Sequence, residues 1–400
     1  MNLLVALDHR FERTPDGVVW SWYFDHSFWT RYLEVFREVR VLARVRDVSE
    51  VAATARRSDG AGVAVVPVPF YHGPLQYLRR SADVRAVVRA AVGPRDAVIL
   101  RSGQVGNCLA KALREDGHPY AMEIIGDPYD VFAPGANTHP LRPFLRWWYP
   151  RQVRRLCAGA AAVAYVTEEA LQKRYPAGPG AFSTYFSSID LNDEALRQSP
   201  RDIRGPARRL LTVGTMDQPY KGHDILLRSV AAAMRNGYDF TLTVVGDGHF
   251  RATLEALARE LAIADRVVFK GQLPKGALVR EQMDLADLFV LPSRTEGLPR
   301  ALIEAMARAM PCISTTVGGT PELLPPEDRV PAGDVSALAL KLCDVARDLP
   351  RLNRMSVVNL EKASQYRSDI LAGRRRLFYH HLEQVTQEWG KTREEKPVHE

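Results

Sequence analysis

ADLFVLPSRTEGLPRALIEAMARAMPCISTTVGGTPELL, residues 286–324, holds the most specific chemistry of the chain. Leu288 to Leu291 is an apolar run of strand length, and Pro292-Ser293 ends it, so the next residues leave the carboxyl end of a strand. Ligands of open α/β sheets bind at that edge. Pro299 stands where a first helical residue belongs, its missing N–H costing nothing there, and Ala301 to Ala309 continue in good helix formers. Gly297 and Leu298 therefore read as the turn feeding a helix N-terminus. Such a terminus suits a phosphate, and a glycine there lets the backbone come close to the ligand.

Two carboxylates flank this turn, Glu296 just before it and Glu304 in the second helical turn. Carboxylates accept hydrogen bonds from hydroxyls, so a ligand carrying both phosphate and polyol groups fits, and a nucleotide sugar is such a ligand. Alone, Glu304 reads equally as a partner of Arg308 one turn on, and Glu296 as a solvated loop acid. Their joint placement around a Gly-Leu-Pro helix entry points to a site.

This spacing resembles the E-x7-E signature of family 4 glycosyltransferases, the group 1 type. The resemblance is strongest from Leu210 to Leu324 and weaker in the first half. It implies the GT-B fold, an α/β architecture of two Rossmann-like doubly wound domains facing a cleft. It also implies that Glu296 lies beside the donor sugar and Glu304 holds the nucleotide ribose, with Gly297, Leu298 and Pro299 at the phosphates.

Composition agrees with a globular chain of two or three domains, since 400 residues with 46% hydrophobic side chains suffice for real cores. Cys108, Cys157, Cys312 and Cys343 are widely spaced, which indicates reduced cytosolic thiols rather than a disulfide framework or a zinc site. MNLLVALDHR reads as a first strand rather than a signal peptide, and no apolar run reaches membrane-spanning length. A net charge of +7 invites a nucleic-acid reading, but no basic stripe with a recognised motif supports it. A cytoplasmic protein is expected, with no nucleic-acid partner. One local exception is the stretch from Val131 to Val166, with five arginines (Arg142, Arg146, Arg151, Arg154, Arg155) and no acid.

In the first half, runs at Leu3–Leu7, Val39–Ala43, Gly62–Val66, Ala97–Leu100, Tyr120–Ile124 and Ala161–Val166 alternate with helical patterns such as Pro74–Val92 and Gln104–Glu115. That alternation predicts a parallel sheet. The loop Asp8 to Trp20 holds Gly17, which either approaches donor phosphates and acceptor, as glycines of this first loop do in the family, or is a turn glycine. Arg101-Ser102 and Gly126-Asp127 are polar strand ends facing the presumed cleft. Relatives carry a His-Asp or His-Glu pair where Gly126-Asp127 stands. Asp127 is then the candidate to orient the acceptor or accept its proton, or else, with Pro128, a turn former. Pro134 to Pro143 reads as a loop. LRWWYPRQVRRL after it is either a helix packed on the sheet or a segment that docks shallowly on anionic lipid or binds an anionic acceptor.

SPRDIRGPARR reads as the interdomain linker, placing domains at 1–195 and 206–365. In the second, Leu210–Val213 is followed by Gly214-Thr215 and by Lys221-Gly222 opening a helix. In relatives a glycine, an arginine and a Lys-Gly pair hold the phosphates. Here Thr215-Met216 replaces the arginine, so Lys221 carries more of the charge or Arg294 supplies some. VGDG at 245–248, with Gly246, and VVFKGQLP at 267–274, with Gly271, match where relatives seat the base. A terminal helix, 366–389, is expected to cross back to the first domain, and GKTREEKPVHE to be disordered.

The expected reaction is transfer from a nucleoside diphosphate sugar to an acceptor hydroxyl, on a carbohydrate, lipid-linked or small molecule, with retention of configuration implied by the family. No cofactor is expected, and no metal, because no Asp-x-Asp stands at a strand end. The rival readings are a nucleotide-sugar-binding protein without turnover, and an epimerase or hydrolase on the same fold.

Overall fold

The structure, a computed structural model, describes residues 1–133, 139–274 and 276–394. Apolar runs too short for helices become strands buried on both faces, and the amphipathic stretches between them cover the sheets. The first sheet comprises β1 (Leu3–Arg13), β2 (Val19–Ser21), β3 (Val39–Asp47), β4 (Arg56–Arg57), β5 (Val63–Pro69), β6 (Ala97–Arg101), β7 (Ala121–Ile124), β8 (Ala162–Tyr165) and β9 (Phe182–Tyr185). Its parallel order is β5-β3-β1-β6-β7-β8-β9, with β2 antiparallel on the far end of β1 and β4 antiparallel on β2.

The second sheet comprises β10 (Arg209–Val213), β11 (Thr241–Val245), β12 (Val267–Gly271), β13 (Leu288–Leu291), β14 (Cys312–Thr315) and β15 (Arg329–Val330). All its strands are parallel, in the order β12-β11-β10-β13-β14-β15. The order reverses between β10 and β13, and a crevice opens beyond their carboxyl ends. The first sheet reverses likewise between β1 and β6.

Several boundaries differ from those read in the sequence. β1 does not stop at Leu7; it runs to Arg13, its register against β3 slipping between Ala6 and Arg10, and turns through a hairpin into β2. Residues after Ser187 already belong with the second domain, because Ile189, Leu191 and Ala195 are buried in its core. The polar linker is pinned as well. Arg201 donates to the carbonyls of Met283, Ala286 and Arg308 at 2.8, 2.6 and 3.0 Å.

The last helix, Ser368–Glu394, starts beside the second domain's core, where Leu371 is buried. It ends on the first, where Phe378, Tyr379 and Leu382 pack with Trp29, Tyr32 and Phe36. It continues through the charged GKTRE that composition assigned to disorder, because Trp389 lies against His118 with ring centroids 4.2 Å apart. The remainder of that tail, 395–400, lies outside the described residues, as do 134–138 of the Pro134–Pro143 loop. Among the described residues no helix is long and apolar enough to cross a membrane.

The carboxyl edges of the two sheets meet. A Cβ on Gly297 would stand 2.9 Å from the Ile125 carbonyl, and one on Gly319 would stand 2.8 Å from the Thr167 methyl. Glu322 reaches across to accept from the backbone N–H groups of Glu168, Glu169 and Ala170 at 2.6, 3.0 and 2.6 Å. An acid of one domain thus caps a helix, Ala170–Arg174, of the other.

Candidate active site

The switch point of the second sheet gathers the residues singled out in the sequence. Past β10 the chain passes Gly214 and Thr215 and makes a single 3-10 turn, Pro219–Lys221. Gly222 follows at φ +70, where a Cβ would stand 2.1 Å from the Pro292 carbonyl, so only glycine lets this turn press against the end of β13. That approach brings the Lys221 ammonium 2.6 Å from Oε1 of Glu296. Ser293 donates its hydroxyl to the same oxygen at 2.6 Å. Both charged side chains are nearly enclosed, Lys221 retaining 15% and Glu296 8% of their exposure.

Gly214 makes room for this arrangement, since a Cβ there would lie 3.3 Å from the Lys221 stem. Gly246, at φ +137, packs so closely that a Cβ would stand 1.9 Å from the Gly214 carbonyl, and its N–H donates to Gly271 at 2.9 Å. The ends of β10, β11 and β12 are thereby drawn together. Thr215 hydrogen-bonds Asp217 at 2.9 Å at the rim.

The helix after β13 runs Arg300–Ala307, with Pro299 capping it rather than opening it. Leu302 and Ile303 donate to the Pro299 carbonyl at 3.2 and 3.3 Å, and the N–H groups of Arg300 and Ala301, which precede them, have no acceptor within the helix. Glu304 lies half-buried in the second turn. Arg308 binds Asp284 through its Nε and Nη2, at 2.9 and 2.7 Å.

Arg294 is corrected. Its guanidinium is bidentate on Asp224 at 2.8 and 2.7 Å and donates to the Pro219 carbonyl at 2.7 Å, while its backbone N–H donates to Tyr220. It fastens the Lys221 turn to β13 and is not available to a phosphate.

Asp127 is corrected too. It is buried, caps the turn at Tyr129 (2.9 Å), accepts from the Tyr175 hydroxyl (2.5 Å) and pairs with Arg174. Each carboxylate oxygen has a partner inside the first domain, which supports the turn-forming reading over the proton-accepting one. Arg101 likewise turns inward, bound to buried Glu123 at 2.7 Å, with Tyr32 on the same acid. Gly17 closes the hairpin turn from Thr14, at φ +83, and is an ordinary turn glycine. Gly126 does face the crevice rim beside Gly297, and the space a Cβ would fill there is open.

Three features escaped the sequence reading. His223 opens the helix after Lys221, and burial, reinforced by the neighbouring lysine, lowers its pKa to about 4, so the imidazole beneath Lys221 is neutral. Gly318-Gly319 forms a turn whose Gly319 N–H donates to the Gly297 carbonyl at 2.7 Å, fixing the Glu296–Leu298 loop. Asp8, on β1, accepts from the Gln104 N–H at 3.0 Å and pairs with Arg44 at 2.8 Å. The VGGT run and the Lys-Gly-His string were the signals for the first two. A lone acid within a strand gave none for the third.

The arrangement offers a cation, a helix N-terminus and an acid at one crevice, which can neutralise a diphosphate and orient a polyol. Comparison with known proteins agrees. Residues 207–348 match the family described as glycosyl transferases group 1. Protein CapJ of Staphylococcus aureus is 25% identical over 322 residues, 80% of each chain. The GDP-mannose-dependent alpha-(1-6)-phosphatidylinositol monomannoside mannosyltransferase of Mycolicibacterium smegmatis is 31% identical over 39% of this chain and 46% of its own. In structure, sucrose-phosphate synthase from Thermosynechococcus elongatus superposes with a TM-score of 0.68 at 17% identity, over 96% of this chain and 100% of that one. HepE of Anabaena, in complex with UDP and glucose, gives 0.60 at 17% over 98% and 100%. With two α/β domains meeting at their carboxyl edges, the chain has the GT-B fold, and its second domain, over residues 207–348, matches the glycosyl transferases group 1.

Proposed function

We propose that the protein transfers a sugar from a nucleoside diphosphate sugar to an acceptor hydroxyl with retention of configuration, in polysaccharide or glycoconjugate assembly. The observation that carries this reading is the Lys221–Glu296 contact at the switch point, where a diphosphate and its sugar would each find one partner. On arrival the diphosphate takes the ammonium and frees Glu296 to accept from sugar hydroxyls, while Glu304 takes the ribose hydroxyls. Gly214 and Thr215 border the phosphates and Gly246 and Gly271 the base.

In the reaction, the acceptor oxygen bonds to the anomeric carbon as the bond from that carbon to the diphosphate oxygen breaks. The electron pair leaves with the diphosphate, and the acceptor's proton passes to it. Attack on the face the diphosphate leaves gives retention without a covalent enzyme intermediate. Lys221 and the Arg300 helix terminus hold the departing charge in place of a metal ion, and turnover that survives EDTA tests that assignment.

We also place the protein in the cytoplasm with one face against an anionic membrane. The helix Arg142–Ala158 buries Pro150, Val153, Leu156 and Cys157, while Phe144 and Trp147 are more than half exposed beside Arg142 and Arg151. Cosedimentation with phosphatidylglycerol vesicles, lost in Phe144→Ser/Trp147→Ser, is the expected result; equal binding to neutral vesicles refutes it.

The donor reading is tested by calorimetry against UDP, GDP, ADP and dTDP and their sugars. One nucleotide should bind, and Lys221→Ala should weaken it at least tenfold. Turnover should fall in Glu296→Ala more than donor affinity does. A Glu296→Ala enzyme of normal rate sinks the assignment, and tight binding without turnover favours a non-catalytic protein.

A further inference from the structure

The first domain carries a cavity of about 330 Å³ that the donor reading does not use. It lies where β1 and β3 run on past the end of β6, and Asp8, His9, Arg10, Trp22, Arg44 and His72 line it. Its charges are unbalanced. Arg10 and Arg44 stand opposite each other in the β1–β3 register, an arrangement that like charges disfavour. Asp8 compensates Arg44 alone, at 2.8 Å. Arg10 is exposed and has no ion-pair partner among the described residues. The Nε of Arg44 is buried without a hydrogen bond.

His9 adds no charge at neutral pH. Burial, then Arg10 and Arg44, lowers its pKa to about 4, and its Nε2 is engaged with the Ser21 hydroxyl at 2.9 Å. Among the fixed charges of the lining, Arg10 and Arg44 face the single carboxylate of Asp8. The indole of Trp22, 72% exposed, forms a further wall, its ring contacts being with Tyr23 and His9 at centroid distances of 5.6 and 6.3 Å. An exposed aromatic face beside a fixed cation offers an apolar platform to a sugar ring and a partner to a substituent on it. Tyr23, next to Trp22, lies within electrostatic range of Tyr220, whose phenol pKa is raised by burial first and by Tyr23 only in small part, and Tyr220 precedes Lys221.

We propose that this cavity is the acceptor site and that it selects a saccharide bearing an anionic group, a carboxylate or a phosphate ester, with Arg10 receiving the anion and Trp22 stacking the ring. The proposal deepens the transferase reading and rests on it for the word acceptor. The anion supplies Arg10 with the counter-charge that Asp8 gives only to Arg44. Because Arg10 is solvent-exposed, its contact is sensitive to salt, and selectivity for charge falls as ionic strength rises.

The experiment is titration of the full chain with glucuronic acid, glucose 6-phosphate and neutral glucose, each with and without the nucleoside diphosphate that fills the second domain. Either anionic sugar should bind at least ~10-fold more tightly than glucose, the factor that one charge-assisted contact of about 1.4 kcal/mol supplies. Arg10→Gln should reduce the preference to under ~3-fold while leaving nucleotide affinity unchanged, and Trp22→Ala should weaken all three sugars together. Binding of glucuronic acid alone assigns a uronate, and of glucose 6-phosphate alone a phosphate ester. Equal affinity for charged and neutral sugars, or an Arg10→Gln protein that keeps the preference, overturns the proposal. Nucleotide binding that fails while the anionic preference persists overturns the donor reading and leaves this site standing.

Discussion

Lys221 and Glu296 can be weighed against each other by replacing them singly and together. In the unliganded protein they share one short contact in a nearly enclosed crevice, with Ser293 the other hydrogen-bond partner of that carboxylate among the described residues. Lys221→Met removes the cation and keeps the apolar stem, leaving a carboxylate with a single hydroxyl donor. Breaking a fully buried pair costs about 3–5 kcal/mol, and the residual exposure of both side chains discounts that to about 2–3 kcal/mol. Glu296→Gln, which keeps shape and can still accept from Ser293, should cost about 1–2 kcal/mol. The double variant removes the stranded charge, so its loss should fall short of the sum by about 1.5 kcal/mol or more. For a domain of this size 2–3 kcal/mol corresponds to a Tm lowered by roughly 5–10 °C. Calorimetric unfolding of the four proteins, with and without nucleoside diphosphate, measures both terms. Nucleotide should raise the Tm of the Glu296→Gln protein more than that of the parent, since no carboxylate then competes for Lys221. Additivity of the single changes to within ~0.5 kcal/mol, or equal nucleotide stabilisation of all four, refutes the competition.

Other outcomes follow from neighbouring contacts. Glu322→Ala strips three donors of their acceptor across the domain boundary, and should lower the Tm by several degrees and widen the scattering radius of gyration; an unchanged radius refutes the clamp. Asp127→Asn should lower stability, through Arg174 and Tyr175, with any retained folded enzyme keeping its pH–rate profile; loss of an acid limb from that profile would restore Asp127 as a base. His223 is held neutral, its folded pKa about 4 against 6.5 when unfolded. The unfolded chain therefore binds the extra proton first, and stability falls as pH drops from 6.5 towards 4, by up to about 3 kcal/mol. His223→Gln should flatten that part of the stability profile, and an identical slope refutes the assignment.

The sequence displayed most of the second domain because its strands are short apolar runs bounded by glycine and proline, and because the Glu296 loop enters its helix at once. β14 and β15 were not separately read, since Cys312–Thr315 is as polar as apolar and Arg329–Val330 is two residues long. The first domain misled for a different reason. Asp127 and Arg101 sit at strand ends, as cleft residues do, but side-chain direction there is set by distant partners, Arg174, Tyr175 and Glu123, which lie 47, 48 and 22 residues away in the chain. No local pattern carries that information. Arg294 shows the same effect at close range: its position suited a phosphate, and Asp224 claimed it.

The chain passes between the domains twice, once after Ser187 and once at the head of the last helix. The two crossings are bonded to each other, the Ser368 N–H to the Leu191 carbonyl at 3.0 Å and its hydroxyl to Asp190 at 2.6 Å. Two separated tethers would define a long axis and leave one rotation; two tethers joined at a point make a pivot. A rotation of one domain about that point would stretch neither strand of chain, and it would move the crevice mouth farthest, because the mouth lies away from the pivot. Opening of the crevice would then need no unfolding of either sheet, only a swing at Leu191 and Ser368 that parts the Glu322 contacts with Glu168, Glu169 and Ala170.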